Sequence, residues 1–469
     1  MRHQARSRSR TRPCSRGTVL IVTMWVLLVL AGLVLVLARA MRAVADRSAN
    51  ELAAVQASAI EQGAIQYVLS SVDGLQGQPP SETDTLCETV LVGDGAFWIL
   101  RPGNDERTYF FGITDEAAKV NLNSATLEMI SKLPGMTSEF AASIMDWRDT
   151  DGTVTTGGAE NEYYLMLPDP YECKNGPLET VEELFLIRGA TRDIILGQDA
   201  NRNGVLDLGE TTSAFSGTFT STGVHLYQGL INYVTVYSAE PAATAASGAS
   251  SSSSSATTST SGQLINVNVS SQALTELLRG AVSSGRLPGV QDRIRRERPF
   301  RNLIEFYYRA GLTLDEFKPI AGKITASTGT APTGRINVNT APKEVLLCLP
   351  GLEESDAAAL AAQRPTADAD RTSIAWVVQA LSRQKALAIG NYITSFSYQF
   401  SADIISVPSS GRAFKRCRVV VDARTSPPKI VYRQNLTHLG WPLSPDILTT
   451  LRSGTPLERL PQTVTQKVG

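Results

Sequence analysis

The stretch RSRSRTRPCSRGTVLIVTMWVLLVLAGLVLVLARA, residues 6–40, decides how the rest of the chain is read. Six arginines (Arg2, Arg6, Arg8, Arg10, Arg12 and Arg16) precede Gly17, and residues 18–38 then run 21 positions without a charge. At about 1.5 Å of rise per residue, such a run spans about 30 Å, the thickness of a hydrocarbon core. The arginines hold its start in the cytoplasm and send the rest outward. Residues 39–72 contain no proline and one glycine, Gly63, while Ile65, Val68, Leu69 and Val72 recur at helical spacing. One helix is expected, its first part (18–38) in the membrane and its second (39–73) in water.

Three readings meet this N-terminus. A plain membrane anchor is the simplest. A secretory signal peptide has a small-x-small site at Ala38-Arg39-Ala40, but its apolar core is usually only about 7–15 residues long. A prepilin leader, basic and ending in Gly17 so that cleavage leaves Thr18 first, fits Arg16-Gly17-Thr18 best. A membrane helix running unbroken into an amphipathic one is the shape of a pilin stem.

The balance of 44 basic against 45 acidic residues hides an asymmetry: without residues 1–17 it becomes 38 against 45. That is no electrostatic footprint for nucleic acid. Four cysteines follow the leader's Cys14, namely Cys87, Cys173, Cys348 and Cys417. Outside the cytoplasm an even number permits disulfides without fixing their pairing. Cys348, within Val345-Leu346-Leu347-Cys348-Leu349, reads as a buried free thiol, and Cys87–Cys173 as a bridge to test.

Beta signals bracket a helical middle. Phe97–Leu100 and Thr108–Ile113 flank a turn at Pro102-Gly103-Asn104-Asp105, and Tyr398–Val407, Phe414–Asp422 and Lys429–Asn435 close the chain. The chain divides into a leader (1–17), the two halves of the stem (18–38, 39–73) and the first strands (74–113). Next come a first helical subdomain (114–238), a Ser-rich linker (239–262), a second helical subdomain (263–395) and the C-terminal strands with a tail (396–469). The fold class is α+β: a pilin-like long helix on an antiparallel sheet, interrupted by a large helical insertion.

That insertion repeats itself. Lys119–Arg148 aligns without gaps on Arg335–Arg364, ten of thirty positions being identical, among them Asn121/Asn337, Asn123/Asn339, Leu133/Leu349, Pro134/Pro350 and Gly135/Gly351. A partial third copy starts at Ile265-Asn266-Val267-Asn268 without the Leu-Pro-Gly. Asn-x-Asn, helix, Pro-Gly turn and second helix make the helix-hairpin-helix (SAM-like) pattern. The entry Asn is expected to cap the first helix, and Gly after Pro to supply the positive φ of the turn. Such units often bind DNA through hairpin amides and nearby bases. Here the turns continue Met136-Thr137-Ser138-Glu139 and Leu352-Glu353-Glu354-Ser355-Asp356, which repel a phosphate backbone. A packing role follows, with a membrane-anchored DNA receptor as the alternative.

Two groups of oxygen ligands stand out. Asp199, Asn201, Asn203, Val205 (through its carbonyl), Asp207 and Glu210 occupy positions 1, 3, 5, 7, 9 and 12 of a calcium loop, with Gly204 at 6 and Leu206 at 8. Three carboxylates imply weak binding, roughly in the 10⁻⁴–10⁻³ M range of extracellular modules. A second acidic cluster, Asp146, Asp149, Asp151, Glu160 and Glu162, surrounds a Gly-containing loop; Asp149, Asp151 and Glu160 are its candidate calcium ligands, against a solvated loop.

In combination these features resemble the K-subunit family of type II secretion minor pseudopilins (general secretion pathway protein K). The resemblance rests on Arg16-Gly17 before a helix containing Met24-Trp25-Val26-Leu27-Leu28, and on Lys119-Val120-Asn121-Leu122-Asn123. Asp146-Trp147-Arg148-Asp149…Gly158-Ala159-Glu160…Tyr163, Asn175-Gly176-Pro177…Glu183-Leu184 and the second Asn-x-Asn unit complete it. It implies cleavage by a prepilin peptidase, with methylation, and a single-pass inner-membrane protein whose bulk is periplasmic. It also implies as partners the I and J minor pseudopilins, the major pseudopilin and the inner-membrane assembly platform. Most pilins carry Glu at the fifth mature position; counted from Thr18, this chain has Val22. The family's lack of that acid goes with a place at the pseudopilus tip, as cap and initiator. A minor type IV pilin is the remaining alternative.

No enzyme is expected. The only histidines are His3, His225 and His438, and no paired-His metal motif, G-x-S-x-G elbow or Walker loop is present.

Overall fold

Arg16–Val72 forms one uninterrupted helix of 57 residues, about 85 Å long at 1.5 Å per residue. Every large apolar side chain from Val19 to Leu37 is exposed, and this is the one helix among the described residues long and apolar enough to cross a membrane. From Ala53 onward one face turns inward: Ala53, Ala57, Ile60, Ala64, Ile65, Val68 and Val72 are buried. The alanines among them let the helix lie close to a sheet, where the Ser406 hydroxyl donates to the Ala57 carbonyl (3.0 Å). The computed structural model describes residues 16–80, 85–103, 109–199, 201–205, 229–241, 264–326, 334–365 and 373–459.

The sheet is antiparallel, in the order Val90–Val92, Gly95–Arg101, Gln399–Pro408, Lys415–Asp422, Lys429–Asn435. Gln399–Pro408 is buried along its whole length, because both faces of the sheet are covered. Phe97, Ile99, Phe400, Ile404 and Val419 face the stem. Trp98, Leu100, Ile405 and Val407 face the C-terminal helix Pro445–Arg452 and Val205. Together these elements make a pilin-like α+β fold. The strand expected over Thr108–Ile113 is shorter than its composition implies: Phe110–Phe111 pairs with Gly95–Arg101, Gly112 turns at φ +155°, and Thr114–Asp115 joins the central strand instead. Thr108 itself lies outside the described residues.

Between Thr114–Asp115 and Gln399–Pro408 stand three units, each closed by a two-residue parallel ladder. Val120–Asn121 pairs with Val234–Thr235, Ile265–Asn266 with Ile324–Thr325, and Ile336–Asn337 with Ile393–Thr394. The first and third share one core, which includes Phe140, Trp147, Leu346, Leu360 and Trp376. The middle unit has its own, built on Val267, Leu274, Phe300, Phe306 and Phe317. In the first unit the helices Leu127–Ser131 and Ser138–Arg148 are joined across Gly135 (φ +71°); in the third, Lys343–Leu347 and Glu354–Ala362 across Gly351 (φ +70°).

The Asn-x-Asn residues do not cap these helices as the spacing led us to expect. Thr126 caps the first, accepting from Met129 N, and Pro342 precedes the equivalent helix without a side-chain cap. The Asn pair is instead a staple. Asn121, Asn266 and Asn337 each accept the backbone N–H two residues on, which turns the chain out of the ladder. The second Asn then grips a distant loop: Asn123 bonds both N and O of Leu178, Asn268 bonds N and O of Phe300, and Asn339 accepts from Trp376 Nε1. The Arg that ends each aligned copy explains its own recurrence, since Arg148 donates to the Ala125 carbonyl and Arg364 to that of Ala341.

Asp115 and Glu116 lock the insertion to the sheet. Asp115, buried, accepts from Ala117 N, Asn337 Nδ2, Thr340 Oγ1 and Ser397 Oγ. Glu116 accepts from Lys119 Nζ, Thr235 Oγ1 and Ser401 Oγ. One acid thus holds the third unit and its neighbour the first. Burial, only partly offset by these donors, pushes the Asp115 carboxyl up to about 6.

Among the described residues Cys87, Cys173, Cys348 and Cys417 are buried and form no disulfide, and no Cys87–Cys173 bridge forms because Cys87 lies in the core between stem and sheet while Cys173 lies in that of the insertion.

Candidate functional site

The second acidic cluster forms where two helices end. Ser138–Arg148 stops at Asp149, and Asn161–Leu165 starts at Glu160, whose side chain makes no capping bond and turns inward. Carboxylate oxygens of Asp149, Asp151 and Glu160 lie within 4.8 Å of one another. Asp146, fully buried one turn earlier, accepts from Thr155 N through Oδ1 (3.0 Å). Its Oδ2 has no hydrogen-bond donor, and neither have Asp149 Oδ1 and Asn175 Oδ1, while the Glu160 carboxylate has the Cys173 thiol beside it. Burial, then the neighbouring Asp146 and Asp149, raise the Glu160 carboxyl; burial, then Asp151 and Asp146, raise that of Asp149.

Backbone geometry protects this arrangement. A Cβ on Gly158 would come within 2.1 Å of Asp146 Oδ2, so only glycine lets the loop close over that carboxylate. Asn175, at φ +45°, donates from Nδ2 to the Asp151 carbonyl (3.3 Å) and so ties its turn to the cluster's loop. Of the acids read from the sequence, Asp149, Asp151 and Glu160 converge, Asp146 backs them, and Glu162 stays exposed. Asn175 was not among the candidates. Its only signal was the Asn-Gly-Pro turn, and nothing local ties that turn to Asp151.

Of the calcium loop, Asp199, Asn201, Arg202, Asn203, Gly204 and Val205 are described, whereas Asp207 and Glu210 lie outside the described residues. The described half is wound tightly. Asp199 accepts from Asn203 N (3.0 Å) and Gly204 N (2.8 Å), Asn201 Oδ1 from Asn203 N, and Asn203 Oδ1 from Val205 N. Gly204 has φ +79°. The loop is moored to the sheet: Val205 enters the core beside Trp98, and Asn203 Nδ2 donates to the Pro442 carbonyl. The fully buried Arg416 donates to the carbonyls of Asn201 and Arg202 while paired with Asp403 (2.7 Å).

Gly17 and Thr18 lie within the stem helix, one turn ahead of Val22, which is exposed. No carboxylate occurs before Asp46.

Against known families, residues 116–196 match the first domain of type II secretion system protein K and residues 336–388 match type II secretion system protein K. The chain thus carries two type II secretion protein K domains. As a protein K it is a minor pseudopilin of type II secretion, and its single apolar N-terminal helix fits a transmembrane anchor. The two matched stretches fall in its first and third units, so the middle unit, 264–326, lies outside both. Among solved structures it is similar to a chain of the GspK-GspI-GspJ complex from the enterotoxigenic Escherichia coli type 2 secretion system. Identity is 14%, with 83% of this chain and 98% of that one covered, at a TM-score of 0.40. No curated protein matches significantly.

Proposed function

We propose that this protein K is a structural part, not a catalyst, that caps the periplasmic pseudopilus and initiates its assembly together with the I and J minor pseudopilins. The observation that carries the reading is Val22. A carboxylate buried in lipid is costly unless paired, and pilins use one to hold the terminal ammonium of the neighbouring subunit. This stem has no carboxylate in residues 18–38 to offer. Its insertion, joined to the sheet through Asp115 and Glu116, supplies the bulk that ends the stack. The first and third units act in it as helix-hairpin-helix packing modules, since acids occupy their turns.

The leader is removed after Gly17 by a prepilin peptidase, and the mature protein sits in the inner membrane with its bulk in the periplasm. The test is immunogold labelling of pseudopili assembled with the full set of pseudopilins. Label confined to one end is expected; label along the shafts, or a mature N-terminus other than Thr18, would overturn the reading.

We also propose calcium as a structural ion in this head. Half-buried Asp149, exposed Asp151 and buried Glu160, backed by the fully buried Asp146, offer hard oxygens, and keeping the inner carboxylates in place without a cation is unfavourable. Asp199, Asn201, Asn203, Val205, Asp207 and Glu210 are the second candidate set. Melting with calcium and with chelator checks both: Glu160→Gln and Asp199→Ala should each lose part of a calcium-dependent rise. Equal melting of the wild type in both buffers would remove the ion.

A further inference from the structure

Two segments of the first unit carry large apolar side chains to the surface. The helix Asn161–Leu165 ends in Leu165 and Met166, which are 54% and 80% exposed; the turn Val181–Leu186 ends in Phe185 and Leu186, 42% and 47% exposed. The segments are held side by side. The Tyr171 hydroxyl donates to the Leu186 carbonyl (2.6 Å), the Tyr164 hydroxyl accepts from Arg188 N (3.3 Å), and the Arg188 guanidinium lies 4.9 Å from the centre of the Tyr163 ring. Their core-facing positions are already filled, since Tyr164 and Leu184 are fully buried. The exposed four therefore carry apolar surface beyond what this chain's own packing covers. Apolar side chains grouped on a rigid surface, rather than scattered, mark a contact site.

The surroundings narrow the partner. Glu162, Asp169, Glu172 and Asp193, within or close to these segments along the chain, are exposed, against one exposed base there, Arg192. Arg188 is occupied by Tyr163 and by the Gly158 carbonyl. An acidic rim repels anionic lipid headgroups. Both segments are helical, so neither offers a strand edge for backbone pairing, and recognition falls to side chains. We propose that this face docks an amphipathic helix of a partner protein, its apolar stripe on Met166 and Phe185 and its flanking lysines or arginines on the acidic rim. The docking face contains no stem residue and none of the proposed ion ligands.

The test uses the full chain in nanodiscs of zwitterionic phosphatidylcholine and two fluorescent amphipathic peptides. They share one leucine stripe, flanked by lysines in one and by glutamates in the other. The lysine peptide should bind, release as salt rises, and bind about tenfold or more weakly to Met166→Gln and Phe185→Gln. Met166→Leu should bind like the wild type, and both Met166 variants should melt as it does, because Met166 is 80% exposed. Equal binding of the two peptides, no binding, or variants that bind unchanged would overturn the proposal. So would self-association of the wild type abolished by Met166→Gln, which would assign the face to a second copy, or binding to anionic vesicles that the same variant abolishes.

Discussion

Arg416→Met tests how the calcium loop is fixed to the sheet. Arg416 is fully buried and its partner Asp403 is 7% exposed; the guanidinium makes two bonds to that carboxylate, at 2.9 and 2.7 Å, and two more to the carbonyls of Asn201 and Arg202. Methionine fills much of the same volume but leaves the buried Asp403 without its paired donor, with the charge of Arg202 close by, which costs up to about 3–5 kcal/mol. Two carbonyls lose their donors as well, adding a smaller penalty to the extent that water fails to replace them. Adding Asp403→Leu removes the stranded charge, so the double variant should recover most of the loss even though the ion pair is gone. Urea unfolding followed by near-ultraviolet circular dichroism reads the right layer, because Trp98 and Trp441, 6.1 Å apart, lie on the same face of the sheet. Hydrogen exchange at the Asn203 and Gly204 amides, both bonded to Asp199, should quicken in the single variant. A single variant losing under about 1 kcal/mol, or a double variant no more stable than it, would refute the argument from buried charge.

Two further predictions follow from the same geometry. The Asp115 carboxyl, raised to about 6 in the fold from an ordinary 3.8, favours the folded state when protonated. Its contribution, about 3 kcal/mol, is therefore fully present below about pH 4 and lost as the pH rises through about 6. Asp115→Asn cannot titrate, so the difference in stability between variant and wild type should change by that order between about pH 4 and 7; a constant difference would show that the site is not the source. Gly158→Ala forces the Asp146 carboxylate aside, its new Cβ lying within 2.1 Å of Oδ2. It should abolish the calcium-dependent rise in melting temperature assigned to this cluster, measured by scanning fluorimetry; an undiminished rise would move the ion elsewhere.

Sequence alone placed the stem, because an uncharged run bounded by arginines permits one solution in a bilayer. It also placed the C-terminal strands to within a residue, since Gln399–Pro408, Lys415–Asp422 and Lys429–Asn435 are rich in β-branched residues and separated by prolines. The duplicated Asn-x-Asn unit can be read, but its use cannot: the spacing predicts a helix cap, whereas Asn123 pairs with Leu178, 55 residues on. What escaped the sequence shares one physical feature, contact across long separations. Glu116 meets Ser401, Asp115 meets Thr340 and Arg416 meets Asn201. Local composition sets which segments are helix, strand or membrane; which polar atoms end up buried without water is decided only when those segments pack.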